Sequence, residues 1–150
     1  MDSSGTVYVA DSNNNRIRKI TPADRIEDRV VSTFAGSTEG FADGTGDAAQ
    51  FYLPFGVAVD SSGNVYVTDR ENNRIRKITP ADRIEDRVVS TIAGSGTAAF
   101  ADGTGTTAQF NYPFGVAVDS SGNVYVADAI NNRIRKITPA GVVSTFAGGT

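Results

Sequence analysis

Residues 60–81 read DSSGNVYVTDRENNRIRKITPA, and residues 119–140 read DSSGNVYVADAINNRIRKITPA. These two stretches differ at only three positions, and residues 2–23, DSSGTVYVADSNNNRIRKITPA, form a third copy. The copies start 58 and 59 residues apart, which gives sequence repeats 2–59, 60–118 and 119–150. A period of this length predicts a repeat architecture in which each unit forms one small sheet.

Each repeat contains short runs of β-branched residues at strand spacing. In the second copy we label these runs a to d, at residues 55–59 (FGVAV), 65–68 (VYVT), 74–78 (RIRKI) and 88–93 (VVSTIA). Turn residues separate a from b and b from c, which predicts two hairpins. Strand a alternates valine with glycine or alanine, so one of its faces is nearly bare and lets a neighbouring sheet approach closely.

Four meandering strands per unit, without helical periodicity, favour an all-β propeller with four-stranded antiparallel blades. A long β-sandwich is the alternative, but it would not need nearly identical units. Two motifs recur, Pro-x-Gly-Val-Ala-Val-Asp at residues 54–60 and strand-Asp-x-x-Asn-x-Arg-Ile-x-Lys at residues 65–77. With these motifs the chain resembles the NHL-repeat β-propeller family. The resemblance implies a binding surface, and it implies no reaction by itself.

The strands add up to about three blades, the first of which lacks its inner strand a. Closed propellers usually have about four to eight blades. We therefore expect either a fragment of a larger propeller or a chain that associates with itself. Two copies would come close to the roughly 24 strands of a six-bladed ring, and we favour such a head-to-tail dimeric ring over a filament.

The composition narrows the chemistry that the chain can perform. It has 14 Lys and Arg against 17 Asp and Glu, a net charge of −3, and no His or Cys. A negative net charge argues against nucleic acid or an anionic membrane as the partner. The commonest general base, the thiol nucleophile and the usual transition-metal ligands are missing. We therefore expect no cofactor and no metal; the compartment stays open, including secretion of a longer form.

The turns between strands b and c carry the differences between the second and third copies. Because neighbouring strands are antiparallel, these turns share one face of the blades with the long d–a loops. Variable turns on a fixed scaffold either drift freely or recognise a partner, here a protein or a glycan. The candidate binding residues are Ser12, Asn13, Arg70, Glu71, Ala129 and Ile130.

Every copy also places an aspartate at the end of strand b and an arginine at the start of strand c. We predict structural ion pairs across this hairpin rather than a catalytic carboxylate. The expected pairs are Asp11 with Arg16, Asp69 with Arg74, and Asp128 with Arg133. Within the RIRKI segment, basic residues alternate with apolar ones, and the segment lies beside these acids. We therefore favour a structural role for it over RNA binding.

The d–a loops repeat Phe-Ala-Asp-Gly-Thr-Gly. We expect their aromatic residues to anchor the loops inward rather than to form an exposed platform: Phe41, Phe51, Phe100 and Phe110. Asp43, Thr45 and Asp47 are spaced like the start of a calcium loop. No acidic residue completes that loop, and Thr106 replaces Asp47 in the next copy, so a structural turn is preferred.

The c–d turns lie on the opposite face. The sequence DRIEDR occupies residues 24–29 and 82–87, whereas the third copy has a short turn, TPAGV, at residues 138–142. This charged turn predicts a solvated hairpin, with a lateral contact between molecules as the alternative.

The repeated blades, the lack of His and Cys, and the apolar FGVAV strands together predict a non-enzymatic scaffold for binding or homotypic assembly. The alternative is a fragment of a lactonase-like or lyase-like propeller enzyme whose catalytic residues lie in further blades.

Overall fold

The computed structural model describes residues 1–149, which form three antiparallel sheets. The first contains β1 (Val7–Asp11), β2 (Arg16–Ile20) and β3 (Val31–Ala35). The second contains β4 (Gly44–Thr45), β5 (Pro54–Val59), β6 (Val65–Asp69), β7 (Arg74–Ile78) and β8 (Val88–Ala93). The third contains β9 (Gly103–Thr104), β10 (Pro113–Val118), β11 (Val124–Asp128), β12 (Arg133–Ile137) and β13 (Val142–Gly148).

The strand order confirms the predicted blade. In the second sheet β5, β6, β7 and β8 follow one another as strands a to d, and the first sheet lacks the inner strand. Two short strands were not predicted: β4 pairs with the outer edge of β8, and β9 pairs with the outer edge of β13, each only two residues long. The chain thus leaves one blade, crosses the outer edge of the next blade, and only then enters that blade's inner strand. This loop covers an edge that would otherwise be exposed.

The hydrophobic core lies between neighbouring sheets. Ile17, Phe34 and Ala35 of the first sheet are buried with Val65, Val67, Ile78 and Val89 of the second. An equivalent cluster joins the second and third sheets: Ile75, Ala93, Phe110, Val124, Val126, Ile137 and Val143. Full burial of each larger aliphatic or aromatic side chain contributes about 1.5–3 kcal/mol. The three sheets therefore stack on one another as propeller blades. Within residues 1–149, no helix has the length and apolar character needed to cross a bilayer.

The bare face of strand a permits the close approach predicted from its glycine. A Cβ atom at Gly56 would lie 2.5 Å from the carbonyl oxygen of Phe114 in the next blade. The Gly56 N–H donates to Oγ1 of Thr68 at 2.7 Å, and that hydroxyl donates to the same Phe114 carbonyl at 2.7 Å. Inner strands of neighbouring blades are therefore held at a distance that leaves no room for a side chain.

Left-handed asparagines connect the first two b–c turns to the following blade. Asn15 and Asn73 have φ angles of 54° and 51°, a conformation that asparagine tolerates better than most residues. Their Oδ1 atoms accept hydrogen bonds at 2.9 Å from the N–H groups of Leu53 and Tyr112, respectively. Each turn thereby fixes the start of the next inner strand.

Candidate binding face

The b–c turns and the two ends of each d–a loop lie on one face, which we call the b–c face (residues 12–15, 36–42, 50–55, 70–73, 94–101, 109–114 and 129–132), while the middle of each loop runs along the outer edge to the c–d turn of its blade, where the Gly46 N–H donates to the Arg87 carbonyl at 2.7 Å. The Glu71 N–H donates to the Tyr52 carbonyl at 3.2 Å, and the Ile130 N–H donates to the Asn111 carbonyl at 3.2 Å. These bonds hold the variable turns against the loops that enter the inner strands. The placement agrees with the strand directions expected from the sequence.

The six candidate residues divide into an exposed group and a half-buried group. Asn13, Ala129 and Ile130 are exposed, and Ile130 has 61% of its surface accessible. Ser12, Arg70 and Glu71 are half-buried. The half-buried side chains also make contacts that support the fold.

Two of these half-buried residues contact the following blade. Ser12 Oγ donates to the Pro54 carbonyl at 2.6 Å, and the Arg70 guanidinium lies 5.1 Å from the centre of the Tyr112 ring. Arg70 also lies 3.7 Å from the Glu71 carboxylate. A ligand at this site would therefore meet side chains whose positions are already restricted.

An aromatic pair that sequence reasoning missed lies at the start of the inner strands. The rings of Phe55 and Phe114 stack with centroids 3.7 Å apart, and each residue is 43% exposed. Both are the first residue of an FGVAV segment, next to the d–a loops. Their repetition was visible in the sequence, but their contact depends on the spacing of two blades. The pair adds an apolar centre to the b–c face.

The hairpin ion pairs form, but with a different arginine from the one expected. Asp69 and Arg74 are direct register partners, yet the Asp69 carboxylate pairs with Nη1 of Arg76 at 2.7 Å. Arg76 lies two residues further along the same strand face, where it points into the interior. The prediction of Arg74 as partner was wrong, because Arg74 instead donates to the Ser95 carbonyl at 2.8 Å.

The same correction applies to the other two blades. Asp128 pairs with Arg135 at 2.8 Å rather than with Arg133, and Asp11 pairs with Arg18 at 3.2 Å rather than with Arg16. The first of these pairs is fully buried, whereas the side chains of Asp11 and Arg18 are 26% and 29% exposed. The chain therefore contains the same ion pair in two environments.

Arg76 is the centre of a buried polar network. Its guanidinium donates to the carbonyls of Gln50 and Ala42 at 3.0 and 2.7 Å, and to the carboxylates of Asp69 and Asp43, both at 2.7 Å. Arg76 itself is inaccessible to solvent. Burial raises the pKa of Asp69, while hydrogen bonds from Tyr52, Asn72 and Arg76 act to lower it. The network fixes the d–a loop to its blade.

Asp43, the first residue of the calcium-like segment, belongs to this network. Asp43 accepts from Arg76, and also from the backbone N–H and hydroxyl of Thr91 at 3.2 and 3.1 Å. In the third blade Asp102 pairs in the same way with Arg135 at 2.7 Å. Among residues 1–149, no group of three His, Cys, Asp or Glu side chains is arranged to hold a metal ion.

The aromatic residues of the d–a loops behave in two ways. Phe51 and Phe110 are fully buried anchors, as predicted. Phe41 is 42% exposed, and the Arg74 guanidinium lies 3.8 Å from its ring centre; Phe100 is 41% exposed with Arg133 at 3.9 Å. The prediction that all four fold inward was therefore wrong for this second pair. Each of these rings stacks under a surface arginine instead.

The opposite face carries the a–b and c–d turns. Asp60 accepts hydrogen bonds from the N–H groups of Ser62 and Asn64 at 2.9 Å and from the Tyr66 hydroxyl at 3.1 Å. Between the second and third sheets a groove of about 400 Å³ opens on this face. Its lining includes Tyr66, Ile92 and Gly141.

Ionisation of Tyr66 should destabilise the fold at alkaline pH. Burial and the charge of Asp60 raise the pKa of Tyr66 to about 12, against an ordinary value of 10.0. A raised pKa stabilises the fold fully below about pH 10, and this contribution is lost as the pH rises through about 12. Urea denaturation over this interval should therefore show a larger loss of stability for the natural chain than for Tyr66→Phe. Equal losses in the two proteins would contradict this assignment.

The family model described as "Teneurin NHL domain" matches residues 1–150. The chain belongs to the NHL-repeat β-propeller family. The resemblance drawn from the repeated motifs is thus confirmed.

Relatives in this family are much longer than the chain. Protein SUPPRESSOR OF QUENCHING 1, chloroplastic, of Arabidopsis thaliana is 36% identical over 135 residues, covering 87% of the chain and 12% of that protein. NHL repeat-containing protein 2 of Homo sapiens is 30% identical, covering 89% of the chain and 19% of that protein. Human Teneurin-4 is 30% identical, and the match covers 97% of the chain and 5% of Teneurin-4.

Solved structures confirm the propeller fold. A structural genomics protein of unknown function from Bacteroides thetaiotaomicron is 34% identical with a TM-score of 0.75; the match covers 93% of this chain and 32% of that one. Streptogramin B lyase is 17% identical with a TM-score of 0.62, covering 96% of this chain and 38% of the lyase. At this low identity the likeness to the lyase shows the fold alone.

Proposed function

We propose that the chain is a non-enzymatic NHL-type scaffold for binding or homotypic assembly, whose b–c face recognises an extended protein segment. The observation that carries this proposal is the composition of that face. The exposed, stacked rings of Phe55 and Phe114 lie at the ends of inner strands, with Ile130 61% exposed on a neighbouring turn. Exposed aromatic and aliphatic groups on a rigid support are typical anchors for a protein partner.

Polar groups accompany these apolar anchors. The half-buried ion pair between Arg70 and Glu71 offers donors and acceptors for peptide groups. The backbone beneath is fixed, because Glu71 and Ile130 are both hydrogen-bonded to the d–a loops. A preorganised surface of this kind loses little conformational entropy on binding.

The buried carboxylates of the second and third blades already have structural partners. Asp69 and Asp128, the buried carboxylates, are each paired with a fully buried arginine. The inner strands β5 and β10 present only Pro, Phe, Gly, Val and Ala. Neither strand therefore supplies a nucleophile, a general base or a metal ligand. The alternative of a propeller-enzyme fragment places such groups in further blades, and the lyase likeness supports it at the level of fold only.

Selection from a random peptide library displayed on phage tests the proposal. We expect enriched peptides to bind the chain by calorimetry, and the double change Arg70→Ala with Glu71→Ile to weaken them at least about tenfold, or about 1.4 kcal/mol. These substitutions install the residues of the third copy at the same turn. The melting temperature should fall only slightly, because the third blade accommodates Ala129 and Ile130 at the same turn and the main loss is the contact of Arg70 with the Tyr112 ring.

A second substitution tests whether peptides bind the opposite face instead. Lys77→Ala alters the lining of the groove on the opposite face and should leave peptide binding unchanged. If this change abolishes binding while the turn exchange has no effect, the assignment of the b–c face is wrong. A library that yields no binding peptide, together with specific binding on a glycan array, would overturn the choice of a protein segment.

A further inference from the structure

The seam between the first and second blades contains a contact that depends on one arginine. Nη1 of Arg87, on the c–d hairpin of the second blade, donates to the Phe34 carbonyl of the first blade at 3.2 Å. The same guanidinium lies 4.4 Å from the centre of the Phe34 ring. Arg87 is 7% exposed and Phe34 is 2% exposed. The hairpin that the sequence predicted to be solvated is thus part of a blade seam in this repeat.

Both halves of this contact occur a second time, unfilled, at opposite ends of the chain. Arg29 occupies the position of Arg87 in an identical 18-residue segment, and its side chain is exposed. Phe146 occupies the position of Phe34 in strand d of the last blade and is 60% exposed. One end therefore offers an arginine, and the other offers a ring and its carbonyl.

The seam between the second and third blades contains neither half of this contact. There Ile92 replaces the phenylalanine, and the short turn at Gly141 replaces the arginine hairpin. Both substitutions line the groove of about 400 Å³ at this seam. In the first seam, Phe34 on strand d faces the next blade's hairpin with Arg87. In the second seam, strand d has Ile92 and the next blade has no arginine hairpin. By this rule Phe146 matches a following blade with the long hairpin, which is the kind of blade that begins the chain.

We infer that a second copy of this chain docks head to tail, with Arg29 of one copy over the ring of Phe146 of the other. The docked pair continues the seam already formed between the first two blades. Tyr125 packs edge-on against Phe146 with ring centroids 5.1 Å apart, as Tyr8 does against Phe34 at 5.0 Å. The Phe146 ring therefore has the same aromatic neighbour as the ring in the formed seam. Burial of a cation against an aromatic face and a carbonyl favours association.

This surface deepens the assembly part of the proposed function and rests on it. It uses none of the six candidate residues of the b–c face, because Arg29 lies on a c–d hairpin and Phe146 lies on strand d. Peptide binding at Arg70 and Glu71 can therefore succeed or fail independently of docking. Since donor and acceptor surfaces differ, the contact is heterologous, and two copies can close a ring if the rotation permits.

Light scattering after size exclusion, over a range of micromolar concentrations, tests the docking. We expect a particle of twice the 15.7 kDa mass of one chain. Arg29→Ala should raise the dissociation constant at least about tenfold, or about 1.4 kcal/mol. Phe146→Ile, which installs the residue of the second blade, should weaken the dimer similarly.

Arg25→Ala is the matched control. It removes the same charge from the same hairpin, but its counterpart Arg83 remains 74% exposed in the formed seam. The control should therefore dimerise like the natural chain. A compact natural chain of monomer mass with native β-sheet signal would overturn the inference, as would equal weakening by Arg25→Ala and Arg29→Ala. Larger particles that Arg29→Ala dissociates would support docking in the filament form.

Discussion

Asp69→Ala should lower the free energy of unfolding by about 3–5 kcal/mol, whereas Asp11→Ala should lower it by about 1 kcal/mol or less. Asp69 and its partner Arg76 are both inaccessible to solvent, so the substitution leaves a buried guanidinium with less compensation. Asp11 and Arg18 form the same hairpin pair, but their side chains are 26% and 29% exposed. Water can therefore replace the lost carboxylate in the first blade.

Urea denaturation followed by circular dichroism measures both losses. The two substitutions remove the same side chain from the same motif, so the difference between them reports burial together with the hydrogen bond that Asp69 accepts from the Tyr52 N–H. Equal losses at the two sites would contradict the buried network described around Arg76. The measurement should be made on the Arg29→Ala background, so that self-association does not contribute to the apparent stability.

Gly56→Ala should destabilise the chain by about 1–3 kcal/mol, while Gly115→Ala should cost less than about 0.5 kcal/mol. A Cβ atom at Gly56 would lie 2.5 Å from the Phe114 carbonyl oxygen and 3.1 Å from the Val116 nitrogen. The equivalent atom at Gly115 would meet only the Ala127 Cβ, at 3.9 Å. The two glycines occupy the same position in identical FGVAV strands.

Thermal and urea unfolding of both alanine variants measure this difference. The natural chain is the common reference. A stability loss at Gly115 as large as that at Gly56 would indicate that glycine is needed for the strand itself. The close approach of neighbouring inner strands would then not be the cause.

The sequence predicted strand positions well because repetition exposes them. Strand c at Arg74–Ile78 and strand d at Val88–Ala93 have the predicted bounds. The two-residue strand β4 was missed, because Gly44–Thr45 carries no periodicity and forms a strand only when the outer edge of β8 is present. The local sequence pattern thus predicted the strands that their own residues specify, and it missed a strand that forms only through pairing with another.

Contacts between blades were harder to predict. Asp69 was assigned to Arg74 because the two face each other across the hairpin, but the d–a loop provides carbonyl acceptors for Arg76 instead. Arg29 and Arg87 show the limit most clearly: their local sequences are identical, yet one is exposed and the other is 7% exposed. The neighbouring blade decides the environment, and a repeat read alone does not contain that neighbour.

Mixing Arg29→Ala with Phe146→Ala chains tests the complementarity of the two ends most directly. Each variant alone lacks one half of every docking contact. In the mixture, the intact Phe146 of the first variant can meet the intact Arg29 of the second. We predict that the average mass from light scattering rises above that of either variant at the same total concentration. A mass equal to the mean of the two separate samples would contradict head-to-tail docking through this seam.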